Sequence, residues 1–274
     1  MSKRILVIPD IHGRTFWKEP INKYIDSVDK VVFLGDYLDP YEDEGEEHDP
    51  DDIFQNLMEI INLKLDNWEK VVLLKGNHDQ HYYSKRFCDL AAGTRMDEQN
   101  WDKYHEVFGN YRSLFQFAYM EVVNGITYVF THAGLTSYWL HKVNTNIWQL
   151  PDNKVSVANE DIIGRINQLD YEPMGQEMLS VVGRNRSWLG EKTGSVLWAD
   201  IREHSLSEVP EVYGLNKVIQ VFGHTRLNGH LEDSIESGNL VMIDSQKCFM
   251  IDGNIKEKIL SIRDYEKKNH SPSL

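Results

Sequence analysis

At 274 residues the chain is long enough for one large α/β domain with a substantial core, and 41% hydrophobic with 26% charged residues describes a globular protein, not a disordered one. The formal net charge of −14 argues against bulk binding of nucleic acid or an anionic membrane, since both need a basic stripe. No apolar run approaches a membrane span, no signal-peptide core precedes the first strand signal at Arg4, and Cys88 and Cys248 stand in neither a metal nor a redox spacing.

These readings predict a reduced, cytoplasmic protein with both cysteines in the core, a single domain over residues 1–266 and a flexible tail over 267–274. In chain order, residues 4–9 read as the first strand. Trp17 to Ser27 follows as a helical connection on the spacing of Trp17, Ile21, Tyr24 and Ile25, and Val31 to Leu34 is the second strand. Tyr41 to Asp52 is a strongly acidic stretch that reads as a solvated surface loop, with a lid or specificity element as the alternative, and its end suits a helix N-terminus. From Ile53 to Asn67, Phe54, Leu57, Met58, Ile61 and Leu65 recur at helical steps and give one buried face. Val71 to Leu74 is the third strand. Short all-apolar strands alternating with helices predict a parallel sheet covered on both sides. Arg86 to Met120 reads as a helical insertion, and Thr127 to Thr131 as a fourth strand behind the turn pair Asn124-Gly125. Leu135 to Tyr171 is mostly helical by pattern. Gly183 to Asp200 reads as a long surface loop ending in a short strand. Val218 to Phe222, Leu240 to Ile243, Cys248 to Ile251 and Ile255 to Ile262 then suggest a second, more antiparallel sheet.

Five of these strands end in metal-type side chains, in the stretches RILVIPDIHGR, KVVFLGDYLDP, KVVLLKGNHDQH, ITYVFTHAG and KVIQVFGHT. One such end means little, because polar residues are normal where a strand leaves the core. Five of them point to a site where strand ends converge, as ligand sites do in open α/β sheets. Asp10 and His12, two apart past a strand, point to the same side as a chelating pair. Asp36, Asn77, His132 and His224 complete a mix of hard oxygens and borderline imidazole nitrogens that suits Mn, Fe, Zn or Co better than calcium. Asp36 has two oxygens with which to bridge two ions.

The order DIHG, GDYLD, GNHD, THAG, GHT resembles the calcineurin-like metallophosphoesterase superfamily from Asp10 to about Asp244. IHG, GDYLD and VLWAD look like its phosphoprotein phosphatase branch and the bacterial relatives of that branch. The resemblance implies an α/β fold, a two-sheet sandwich flanked by helices. It also implies two divalent metal ions, manganese first, with Fe, Zn, Co or Ni as alternatives. Asp10, His12 and Asp36 would hold the first metal, and Asp36, Asn77, His132 and His224 the second. His78 matches the histidine that protonates the leaving group or contacts the phosphate, and Asp39 the carboxylate that orients it. The implied activity is hydrolysis of phosphomonoesters in proteins or small molecules. A phosphodiesterase and a dinucleoside polyphosphate hydrolase are the alternatives among enzymes, and a non-catalytic phosphate-binding module is the alternative outside them. The branch carries an arginine where this chain has Pro40 and a glutamate where it has Asp79. Arg184, Arg186 and Arg202 are the candidates to replace the missing phosphate clamp.

The remaining residues have plainer readings. His48, His105, His141, His204, His230 and His270 read as structural or exposed, and His81 as incidental or, by its closeness to GNHD, as a group supporting the site residues. Gly13, Gly35, Gly76 and Gly223 read as relief of tight turns, and the tryptophans as core more often than substrate platforms.

Overall fold

The structure, a computed structural model, describes residues 3–41, 49–87, 95–204, 212–227, 234–256 and 258–270. A first run of strands alternates with helices: β1 (Arg4–Ile8), α1 (Lys18–Tyr24), β2 (Lys30–Phe33), α2 (Pro50–Asp66), β3 (Val71–Leu74), the short α3 (Asn77–His81) and α4 (Trp101–Asn110). Next come β4 (Phe115–Gln116), β5 (Ala118–Val123), β6 (Ile126–Thr131), α5 (Ser137–Val143), α6 (Glu160–Gln168) and α7 (Gly175–Leu179). The chain closes with β7 (Val218–Phe222), β8 (Ile235–Ser237), β9 (Leu240–Met242), β10 (Phe249–Asp252), β11 (Leu260–Ser261) and α8 (Ile262–His270).

Two sheets stack face to face. The first runs in the order β11-β10-β1-β2-β3-β4, with β1 to β4 parallel; the second runs β5-β6-β7-β9-β8, with β6, β7 and β9 parallel. Alternation along each strand decides which layer a side chain enters. Ile5, Val7, Val32, Leu34, Val72 and Leu74 face the second sheet and meet Tyr128, Phe130, Ile219, Val221 and Val241. Leu6, Ile8, Val31, Phe33, Val71 and Leu73 face the other way, onto Leu57, Ile60 and Ile61 of α2 and Tyr104 and Phe108 of α4. α5, α6 and α7 cover the far face of the second sheet through Trp139, Leu140, Ile162, Ile166 and Leu179. Strands covered on both sides are uniformly apolar, which is why the sequence showed them so clearly.

The acidic stretch ends as expected: Asp49 caps α2 through Asp51 N at 2.8 Å, with Pro50 at its first position. Residues 42–48 of that stretch lie outside the described residues, as do Cys88, His48 and His230. Cys248 is a buried free thiol. Several expectations need correction. The insertion read as helical holds β4 and the first residues of β5, whose half-exposed middle hides it from an apolar-run search. β5 forms a hairpin with β6 through Asn124 (φ 50°) and Gly125 (φ 79°), a pair suited to a two-residue turn. The Gly183–Asp200 segment ends in turns, not a strand. The C-terminal strands do not form one antiparallel sheet: β7 is parallel to both its neighbours, while β10 returns to pair antiparallel with β1. Strand periodicity reports burial but not the partner. The stretch read as a strand from Ile255 to Ile262 is only the two-residue β11, and α8 continues through the first residues of the expected tail to His270.

Candidate metal centre

Because β1, β2 and β3 run parallel, as do β6 and β7, their C-terminal ends open onto one spot. Backbone bonds tie the ends together: His12 N donates to Asp36 O at 2.7 Å, Gly13 N to Tyr37 O at 2.9 Å and Gly223 N to His132 O at 2.8 Å. The Asp79 carboxylate accepts from Asp36 N, Tyr37 N and Gly76 N at 2.7–2.9 Å, and so clamps the ends of β2 and β3. Asp10 Oδ2 accepts from His224 N at 2.9 Å, which joins the two sheets. Of the eight non-glycine residues with positive φ among the described residues, four are His12, Asp36, Asp39 and His224. Such conformations cost about 1–3 kcal/mol each and concentrate at functional sites. Gly76 and Gly223 serve space more than turn relief. A Cβ at Gly76 would collide with Asp36 Oδ1, and one at Gly223 with Asp10 Oδ1.

The six expected ligands, all buried, come together in two overlapping groups: Asp10, His12 and Asp36, and Asp36, His132 and His224 with Asn77. Carbonyl partners settle the tautomers of two imidazoles. His12 Nδ1 donates to Leu38 O at 2.9 Å and His132 Nδ1 to Leu34 O at 2.9 Å. Each ring therefore turns an Nε2 lone pair inward, toward Asp36 Oδ2 at 3.5 Å and 3.4 Å. His132 Nε2 also sits 2.9 Å from Asn77 Oδ1 and 3.1 Å from His224 Nδ1. Asp10 Oδ1 is buried with no hydrogen-bond partner among the described residues. Lone pairs facing carboxylate and amide oxygens in a buried site repel unless a cation lies among them, so the donor set fits divalent metal ions. Electrostatics agree. Burial pulls the His12 imidazole down to about 3 and lowers His132 and His224 as well, which keeps the rings neutral and available as ligands. Burial, then Asp244 and Asp36, raise Asp10; burial and then Asp36 push Asp244 up to about 7. Carboxyls crowded until they resist ionisation are what a divalent cation relieves.

Residues 3–225 match the family model described as calcineurin-like phosphoesterase. The chain belongs to the calcineurin-like phosphoesterase family. No curated protein matches the chain. Among solved structures it is similar to a protein serine/threonine phosphatase from Saccharomyces cerevisiae described as similar to human phosphatase PP5. The identity is 16%, the match covers 95% of this chain and 79% of that one, and the TM-score is 0.49. The protein is thus a metal-dependent phosphoester hydrolase, and none of its described helices is long and apolar enough to cross a membrane.

Beside the donor groups of this phosphoesterase, His78 Nδ1 lies 2.8 Å from Asp39 Oδ2, and the His78 ring stands 5.1 Å from that of His12. Burial alone would lower the His78 pKa, but Asp36 and Asp39 outweigh it and the net shift is upward. His81 is fully buried with Nδ1 3.6 Å from Asp39 Oδ2, so it belongs to this cluster and is not incidental. The Tyr82 hydroxyl donates to Asp39 Oδ1. The three candidate arginines separate. Arg186 Nη2 donates to His224 O at 3.2 Å and Thr225 Oγ1 at 2.7 Å, with Nε 3.0 Å from Asp200 Oδ2. Arg202 is spent on the same Asp200 at 2.7 Å, and Arg184 is exposed. His105, His141 and His204 bond to Tyr82 O, Tyr213 OH and Ala133 O, as structural histidines do. Trp198 is buried, with Nε1 on Gln80 Oε1 at 3.0 Å, while Trp188 is 90% exposed. Neither Asp244 nor Arg95 was among the expected site residues. Asp244 follows β9 without a histidine beside it, and Arg95 lies far from every motif.

Proposed function

We propose that the protein is a dinuclear phosphatase that hydrolyses phosphomonoesters in the manner of serine/threonine phosphoprotein phosphatases, on a phosphorylated protein or small molecule in a reducing, cytoplasmic setting. The observation that carries this reading is the shared Asp36, whose Oδ2 faces His12 Nε2 on one side and His132 Nε2 on the other. Asp10, His12 and Asp36 would hold one cation, and Asp36, Asn77, His132 and His224 the other. Manganese suits this oxygen and imidazole set, as do Fe, Zn, Co and Ni. When bound, the cations supply Lewis acidity, acidifying water and offsetting charge on phosphoryl oxygens.

The chain's own groups supply the rest. With Nδ1–H held by Asp39, His78 carries its exchangeable proton on Nε2 and gives it to the departing alkoxide, a step worth roughly 10²- to 10⁴-fold in rate. Asp39, fixed by Tyr82, keeps that tautomer and favours the charged ring. Arg186, anchored on Asp200 beside His224, offers its guanidinium to phosphoryl oxygens. The test is Asp36→Asn, with metal content measured beside turnover of p-nitrophenyl phosphate and its diester under Mn, Ni, Co and Mg. The expected result is loss of both metals and a wild-type preference for the monoester. Full metal occupancy in the variant, or faster diester cleavage by the wild type, would refute the reading.

A further inference from the structure

Arginines from separate segments gather at the rim of the metal centre. The Tyr41 ring meets the His12 imidazole edge-on at 4.8 Å. Arg95 lies 3.5 Å from the Tyr41 ring centre, Arg226 4.5 Å and Arg14 5.5 Å. Arg95 Nη2 donates to Asp39 O at 3.0 Å, the same carbonyl that stands 3.0 Å from His12 Nδ1. A single oxygen therefore links this guanidinium to a candidate metal ligand. Arg95 Nε is buried without a hydrogen-bond partner among the described residues. Arg14, Arg226 and Arg186 all bear electrostatically on the buried Asp244 carboxyl.

Arg95 and Arg226 share one ring, so they stand no more than about 8 Å apart, within the screening length at physiological salt. Guanidiniums held so close together attract an anion that can reach both. Their planar forks match phosphate oxygens. The patch gathers around a single ring on a chain of net charge −14, which favours a compact anion over an extended polyanion.

We propose that Arg95 and Arg226, stacked on Tyr41 with Arg14 beside them, form a subsite for a second phosphoryl group, so that the preferred substrate is a small compound with a terminal phosphoanhydride. This rests on hydrolysis at the metal centre and extends it from a simple monoester to a terminal phosphate joined through oxygen to another. Water supplies the entering oxygen, and the bond from the attacked phosphorus to the bridging oxygen breaks. The departing phosphate keeps that oxygen with its electron pair, and the water's proton passes to solvent. The arginines offset the charge the departing phosphate gains.

The test uses the manganese-loaded full chain with p-nitrophenyl phosphate and inorganic tripolyphosphate, in the wild type, Arg95→Gln, Arg95→Lys and Arg226→Gln. Each Gln variant is expected to lower kcat/KM about tenfold or more for tripolyphosphate and much less for the aryl ester, with Lys restoring little because it lacks the fork. An equilibrium readout accompanies the kinetics: methylenediphosphonate should bind about tenfold tighter than methylphosphonate, and the Gln variants should lose that advantage at unchanged metal content. Equal losses on both substrates in Arg226→Gln, or no advantage for the diphosphonate, would overturn the subsite. Failure of the metal-loaded wild type to hydrolyse either compound would instead remove the hydrolytic reading beneath it.

Discussion

Replacing Asp39 with Asn tests whether His78 works as a proton donor held by that carboxylate. The bond from His78 Nδ1 to Asp39 Oδ2 is 2.8 Å long, both groups are buried, and Asp39 is one of the two charges that hold the imidazole pKa up. A hydrogen bond to a charged group contributes about 1.5–3 kcal/mol. At 1.36 kcal/mol per pKa unit, losing it lowers the His78 pKa by roughly one to two units. The acid form is the one that works, and activity fades as pH rises through its pKa. A lower pKa therefore moves the alkaline limb of the kcat/KM profile toward acid by the same amount. The assay is that profile with an alkyl phosphate, whose leaving group needs the proton, against p-nitrophenyl phosphate, whose leaving group needs it less. An alkaline limb that stays in place, or equal losses on both esters, would show that His78 does not act as the acid.

Gly223→Ala should weaken metal binding about tenfold, because the new methyl collides with Asp10 Oδ1. Gly109→Ala, near the end of α4 where the methyl meets open space, should leave metal binding unchanged and add about 0.5–1 kcal/mol of stability; metal titration and thermal melts check both. Chelation should lower the melting temperature, since removal of the ions leaves Asp10 and Asp36 buried together; an ion present at 1,000 times its Kd stabilises by about 4 kcal/mol. An unchanged melt after verified metal removal would count against the fit. Away from the centre, Asp170 joins buried Lys75 at 2.8 Å and Arg112 at 2.6 Å. Asp170→Asn strands the Lys75 ammonium and should destabilise by about 3 kcal/mol, more than Lys75→Met, which leaves Asp170 paired with Arg112; urea midpoints decide the order.

Much of the candidate centre was legible because each candidate ligand follows an apolar strand, and a strand buried on both faces announces its end when a carboxylate, amide or imidazole appears. Asp10, His12, Asp36, Asn77, His132 and His224 all carry that mark. His81 stood out only for its closeness to GNHD, because nothing in the chain says that α3 turns it back onto Asp39. The arginines were the weakest part. Arg184 and Arg186 lie in one loop with Arg202 just past its end, but Asp200 takes up Arg202 and much of Arg186, and Arg184 faces solvent. Arg95 and Arg226 reach the rim from segments with no pattern of their own. β5 was missed because a strand with one exposed face lacks the continuous apolar run that marked β1, β2 and β3.

The chain alone determined the buried strands, the helix that covers them and the identity of the donor atoms, since burial periodicity and side-chain chemistry are local properties. Pairing decided the rest. Whether β10 joins the first sheet or the second, which oxygen of Asp36 both histidines face, and where Arg95 lies relative to His12 depend on contacts between residues far apart in sequence. Those contacts follow from how two apolar faces pack against each other, a condition on the whole molecule that no single segment records.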